Sequence, residues 1–294
     1  MHMKKSPGEA IFDVGNHVFM VGLILVTVYP LLYVALASVS QPAPLVQFRG
    51  VLLRPLGFTV EAYRRVFLNP MIPLGYRNTL LYVFAGTTIN LLMTCLGAYG
   101  LSRRNVLLKN PIMFLIVFTM FFSGGLVPTY LLVANTLGLI DKPWAIILPG
   151  AINTWNLIIM RTAFQSVPEA LEEAARIDGA NDFTILFRIV LPLSLPVVAV
   201  MILFYSVAHW NSWFPAMIYL RTRDLYPLQL ILREILVVSS VESMTTGVSG
   251  GDVMPIGETI KYATIVVATL PILCVYPFLQ RYFVKGVMIG AIKE

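Results

Sequence analysis

Six stretches of this sequence carry no Asp, Glu, Lys or Arg: residues 18–40, 78–102, 111–134, 143–160, 190–214 and 262–280. A bilayer's hydrocarbon core, roughly 30 Å thick, is crossed by about 20 apolar residues in helical form. The runs are continuous and do not alternate with period two, so they read as helices and not as barrel strands. Charged residues make up 12% of the chain and hydrophobic ones 57%, against roughly 25% charged in an average soluble domain. That balance excludes a soluble globular protein, and disorder, which needs high charge and low hydrophobicity. The expectation is an all-α, polytopic membrane protein, one transmembrane domain over residues 1–294 with six spans. Pro30, Pro128, Pro149, Pro196 and Pro271 fall inside spans, and each predicts a kink or break because proline lacks the N–H that a helix interior needs. Lys4, Lys5 and the small residues Ala35 and Ala37 imitate a secretory signal. The apolar run between them is too long for one and is interrupted by Pro30, so it reads as a retained span.

The net charge of +6 belongs to a membrane protein meeting anionic lipid, not to nucleic-acid binding, because the basic residues form no stripe. Cys95 and Cys274 lie in apolar runs and read as small hydrophobes. Six spans put both termini on one side. The full Lys and Arg count does not decide which, but the short loops do. Residues 102–109 carry three basic residues and 135–142 one, which favours cytoplasmic termini. Residues 161–188 are then a cytoplasmic loop, and residues 41–77 and 215–261 are external.

Residues 166–192 carry five of the chain's fifteen acidic residues. Ser166 and Glu169 have capping-box spacing, and Pro168 sits where a first turn tolerates it. Glu169, Glu172 and Glu173 suit the positive end of a helix. Glu172 and Arg176 are spaced as an i,i+4 pair, and Gly179 is placed to end the helix in the left-handed region. A second helix is predicted from Asn181. The segment therefore reads as a short, capped helix–turn–helix between two spans, with alanines that allow close approach by another surface.

Glu173-Ala174-Ala175, three residues, Gly179, nine residues, then Ile189-Val190-Leu191-Pro192 resembles the EAA motif of ABC-importer permeases, at every fixed position and spacing. Arg161-Thr-Ala-Phe164 and Tyr282-Phe-Val-Lys-Gly286 resemble the carbohydrate-uptake branch, with its maltose-type and polysaccharide-type permeases. The resemblance implies that this helix docks in a cleft of a cytoplasmic ATPase, with Glu169, Glu172, Glu173, Ala174, Ala175, Asp178, Gly179, Ala180, Leu191 and Pro192 in the coupling segment. It also implies a second, different permease subunit, two ATPase subunits and an extracytoplasmic solute-binding protein, in the cytoplasmic (inner) membrane of a bacterium. The tail at 282–294 would reach the ATPase dimer. The loop before the last span, with Gly247, Gly250 and Gly251, would enter the binding protein's cleft.

The chain has no G-x-x-x-x-G-K-[ST] loop, so it cannot cradle ATP phosphates by that route. It therefore reads as a non-catalytic subunit that binds no cofactor, with ATP and Mg used by the partner ATPase. No H-E-x-x-H or C-x-x-C pattern occurs, and His2, His17 and His209 are far apart, so no metal site is expected. His209 is the one ionisable residue within the predicted spans, which argues against an ion-coupled secondary transporter, whose sites sit at mid-membrane. Sugar recognition needs ring stacking with hydrogen-bonding groups. Two clusters offer both: Asn153, Trp155 and Asn156 in the fourth span, and His209, Trp210, Asn211 and Trp213 late in the fifth. The bland alternatives are interfacial anchoring by tryptophan and interhelical bonding by asparagine. Phe122-Ser-Gly-Gly-Leu126, Trp155-Asn-Leu-Ile-Ile-Met160 and His209-Trp-Asn-Ser-Trp213 resemble the polysaccharide-type branch, which implies an oligosaccharide substrate. External Arg49, Arg54, Arg64 and Arg65 would favour an acidic one, such as an alginate or pectin fragment, but they suit interfacial anchoring equally. A non-sugar solute carried by the same machinery is the alternative.

Overall fold

The computed structural model describes residues 7–245, 257, 259–274 and 277. The described residues are helical, with one isolated antiparallel bridge between Ser40 and Phe58 and no strand. The chain divides into two compact units, Met1–Asn69 with Glu234–Thr269, and Pro70–Arg233 with Leu270–Glu294.

In the first unit α1 (Pro7–Ser38) runs through Pro30 without a break. Its apolar stretch Ile11–Ser38 is long enough to span and is exposed over most of its length up to the buried Ala37 and Ser38, so its exposed apolar side chains have lipid or another subunit as the available cover. The segment after it is folded, not a plain loop. Helices α2 (Pro42–Gln47) and α3 (Glu61–Leu68) follow. The Ser40 hydroxyl donates to Leu36 O (2.7 Å) and accepts from Leu56 N (3.1 Å). Leu52 N donates to the Tyr29 hydroxyl at 3.1 Å, and Ala37, Leu45 and Leu52 make a small core beside Tyr33 and Tyr262.

The second unit is organised by α4 (Met71–Ser102). It begins seven residues ahead of the predicted boundary at 78, and polar side chains from 78 onward bind a later segment of the chain. Asn78 Nδ2 donates to Asp224 O (2.7 Å) and Tyr226 O (3.0 Å), the Tyr82 hydroxyl donates to Leu225 O (2.7 Å), and Leu228 N donates to Thr79 Oγ1 (2.8 Å). These bonds fasten residues 224–228 along α4. Next comes α5 (Lys109–Phe121). The chain turns at Phe122–Gly125, and α6 (Leu126–Leu131) with the π-turn Leu132–Thr136 leaves at 113°. The break falls on Gly125, whose φ is +83°, and not on Pro128, which sits in the first turn of α6 where its missing N–H is harmless.

Residues 143–160 form two helical pieces, not one helix. Short α7 (Trp144–Ile147) ends in a 3-10 turn, Leu148–Gly150, around Pro149, and α8 (Thr154–Gln165) starts afresh. Then follow α9 (Glu169–Ile177), α10 (Asp182–Ile185) with the π-turn Leu186–Val190, α11 (Leu191–Leu193) and α12 (Leu195–Trp210). The chain bends by 89° between Asp182–Leu193 and Leu195–Trp210, at Ser194, between Pro192 and Pro196. Helices α13 (Phe214–Tyr219) and α14 (Leu228–Thr245) lie where an external loop was expected. Helix α15 (Thr259–Cys274) covers the described part of the sixth predicted span.

The core of this unit joins α4, α8 and α12 through Ala98, Met160, Phe164, Ile185, Val190 and Met201. Small residues let the helices approach: a Cβ at Gly86 would run into the His209 ring. By length and composition two described helices reach a membrane's width, and up to four spans result if each bent pair counts as one.

Candidate functional site

The acidic helix α9 is closed as the sequence predicts but held differently. Gly179 has φ +82°; its N–H donates to Arg176 O (3.0 Å) and that of Ala180 to Ala175 O (2.9 Å), a Schellman-like end. Asn181 caps α10, its side chain accepting from Thr184 N at 2.8 Å. The expected Ser166 capping box does not form. Ser166 follows the last residue of α8, and its hydroxyl (2.7 Å) and backbone N–H (3.2 Å) both donate to Ala163 O, closing the end of α8. Pro168 stands in the cap position of α9 itself.

The predicted Glu172–Arg176 pair is also replaced. Glu172 is buried and pairs with Arg103, just past the end of α4. Arg176 pairs with Asp182 (2.9 Å) and Arg104 with Glu169 (2.6 Å). Arg103 also donates to Phe164 O at 3.0 Å and lies 4.8 Å from the centre of the Tyr99 ring. Local spacing shows only neighbours on one helix, whereas these partners meet because the 102–109 turn packs under α8 and α9. Between them lies a cavity of about 700 Å³ lined by Arg103, Arg104, Lys109, Gln165, Glu169 and Glu173. Ala175 and Ala180 pack on the core, as does Leu191, and Pro192 sits beside the bend. Asp178 follows the last turn of α9. Glu173, Ala174 and Ile177 are exposed, Ile177 at 86%, so α9 presents an apolar-centred outer face.

The seven aromatic and amide residues separate into two groups. Asn156 is buried, and Asn153 caps α8 by accepting from Asn156 N (3.1 Å). His209 is buried against Gly86 and bonds Asn90 Oδ1 at 2.6 Å. Trp210 is buried, edge-on to Tyr76. Asn153, Trp155, Asn211 and Trp213 remain exposed. Sequence reasoning missed the seam that holds His209: Thr87–Ser206 (3.2 Å), Asn90–His209 and Thr94–Tyr205 (2.7 Å) tie α4 to α12. Its signal is visible in retrospect, since Thr87, Asn90 and Thr94 share a helix face at i, i+3, i+7.

Asp141 joins two more segments. Its carboxylate accepts from Arg221 N (2.9 Å), Thr222 N (2.8 Å) and the Thr222 hydroxyl (2.6 Å). The Thr222 hydroxyl foremost, with these backbone N–H groups, holds the Asp141 carboxyl below the usual carboxylate range. Gly247, Gly250, Gly251 and the tail at 282–294 lie outside the described residues.

The family model described as "Binding-protein-dependent transport system inner membrane component" matches residues 93–289. The chain is 44% identical over 286 residues to the polygalacturonan/rhamnogalacturonan transport system permease protein YtcP of Bacillus subtilis (strain 168), covering 96% of this chain and 98% of that one. It is 42% identical over 291 residues to Protein LplC of the same organism, covering 99% and 98%. Among solved structures it matches a crystal structure of a bacterial ABC transporter involved in the import of the acidic polysaccharide alginate, with TM-score 0.85 and 33% identity, over 96% of this chain and 100% of that one.

Proposed function

Since the chain belongs to the family of binding-protein-dependent transport system inner membrane components, we propose that it is the permease subunit of an ATP-driven importer of an acidic oligosaccharide. The observation that carries this reading is α9: a helix ended by a left-handed glycine, anchored through Arg103 and Arg104, with Glu173, Ala174 and Ile177 exposed. Such a face suits a groove in a separate ATPase, whose closure on ATP and Mg would push α9 and, through the α9–α12 segment, the helices of the path. The substrate class is supported by the likeness to a permease named for polygalacturonan and rhamnogalacturonan and to an alginate importer.

In this reading six spans place both termini in the cytoplasm. Contacts within the second unit are consistent with that orientation. The 102–109 turn meets residues 161–172, both expected inside, and Asp141 meets residues 221–222, both expected outside. A second permease subunit completes the path, two ATPases drive it, and a binding protein delivers the sugar to the external loops that include Gly247, Gly250 and Gly251. Asn153, Trp155, Asn211 and Trp213 are the side chains of the two clusters left to face the sugar. Asn156, His209 and Trp210 hold the helices around it.

The test is reconstitution with the partner permease, the ATPase and the binding protein. Loading the binding protein with an oligogalacturonide or alginate fragment should raise ATP hydrolysis and drive uptake. A complex that assembles but responds to no acidic oligosaccharide would sink the substrate assignment.

A further inference from the structure

We propose that Arg233 and Trp213 form a subsite that reads a uronate carboxylate at the outer end of the path. The proposal rests on the importer reading above and deepens its substrate class. Trp213 opens α13 three residues after α12 ends, so it stands at the external end of the fifth predicted span. It is 37% exposed. Phe214 packs edge-on against its ring at 5.6 Å, and the Arg233 guanidinium carbon lies 4.7 Å from the ring centre. Arg233 also reaches Met217 Sδ at 3.4 Å.

What distinguishes this arginine is the indole it rests on; like Arg161, which donates to Leu101 O, it meets no carboxylate among the described residues. Arg65, Arg103, Arg104 and Arg176 each meet a carboxylate. Arg233 meets an indole and a thioether, neither of which neutralises it, and it is exposed. A guanidinium resting on an aromatic ring gains cation–π attraction while its in-plane N–H edge stays able to bond. Resting there, the intrinsically planar group loses less rotamer freedom when it forms a fork with a carboxylate. Trp213 beside it offers apolar ring surface of the kind a pyranose face stacks on, and Asn211, two residues earlier, is exposed as well. A stacking surface with a cation that meets no carboxylate among the described residues fits a uronic acid residue better than a neutral hexose, whose hydroxyls leave the charge unmatched.

The experiment compares Arg233→Gln, Arg233→Lys and the unaltered protein, each in vesicles with its partner permease, ATPase and binding protein. Uptake of trigalacturonate and of its methyl ester is measured per assembled complex. The acid-to-ester uptake ratio is expected to fall at least tenfold in Arg233→Gln, a loss of about 1.4 kcal/mol of discrimination, and to fall by a smaller factor in Arg233→Lys, which keeps the charge but not the fork. If Arg233→Gln slows both sugars alike, or fails to assemble together with Arg233→Lys, the pair is an interfacial anchor and the proposal is overturned. If the unaltered complex imports the ester as well as the acid, no carboxylate is read at all. If it imports neither, the oligosaccharide reading itself fails, a result distinct from a changed ratio.

Discussion

At the residue scale, Gly179 and the Arg103–Glu172 pair hold α9 in place, through different physics. A Cβ at Gly179 would meet nothing within 4 Å, so a side chain there is penalised by the backbone conformation alone. At φ +82° the left-handed region costs a β-branched residue roughly 1–2 kcal/mol. Gly179→Val should insert and assemble yet lose sugar-stimulated ATP hydrolysis together with transport, whereas Gly179→Asn, which tolerates that region, should keep most of both. Normal transport by the valine variant would remove α9 from the coupling role. The two ion pairs differ in burial. Glu172 and Arg103 have side chains 8% and 14% exposed, while Arg104 and Glu169 are largely in solvent. Removing one partner of a buried pair strands the other and costs about 3–5 kcal/mol; an exposed pair contributes about 0–1 kcal/mol. Glu172→Ala should therefore lower the thermal stability of the purified complex clearly and Glu169→Ala hardly at all. Equal melting temperatures for the two variants would show that Glu172 is solvated.

At the element scale, the turn before α7 and the segment after α13 are held together by one carboxylate. Hydrogen bonds to its charged form lower the Asp141 pKa, so the linkage has a definite sign. The clamp contributes fully above the unfolded carboxyl value near 3.9 and is lost as pH falls through the lower folded value. Between pH 8 and 5 hydrogen exchange at Arg221 and Thr222 should show no loss of protection attributable to this group. Asp141→Asn should raise exchange there across the whole range, since a neutral amide is a weaker acceptor than a carboxylate. Protection that disappears between pH 6 and 5 in the unaltered protein would contradict the assignment. The helix breaks belong to the same scale. At α5–α6 the cause is Gly125 with positive φ, and at α11–α12 the chain bends at Ser194 between two prolines. Pro30, by contrast, is absorbed without interruption of α1, so a proline in a span marks a permitted break and not a required one.

At the scale of the whole molecule, orientation is the property to test. A cysteine placed at Lys109 should be labelled by a membrane-impermeant reagent only after the cells are opened; labelling of intact cells would invert the topology. The sequence by itself determined what depends on composition and short spacing. The charge-poor runs established an all-helical membrane chain, because burying a backbone in lipid leaves only closed hydrogen-bonded forms. The spacing from Glu173 through Gly179 to Pro192 located a helix, its glycine stop and the next helix start, since each depends on neighbours within a few residues. Only the tertiary structure decided which partner each charge takes. Glu172 pairs with a residue 69 positions away, and Ser166 serves the helix behind it instead of the one ahead. Tertiary packing likewise turned His209 from a side chain facing solute into one bonded to Asn90 over Gly86, and set Arg233 over Trp213. Such pairings are chosen by distance in space, which chain spacing does not encode beyond a turn or two of helix.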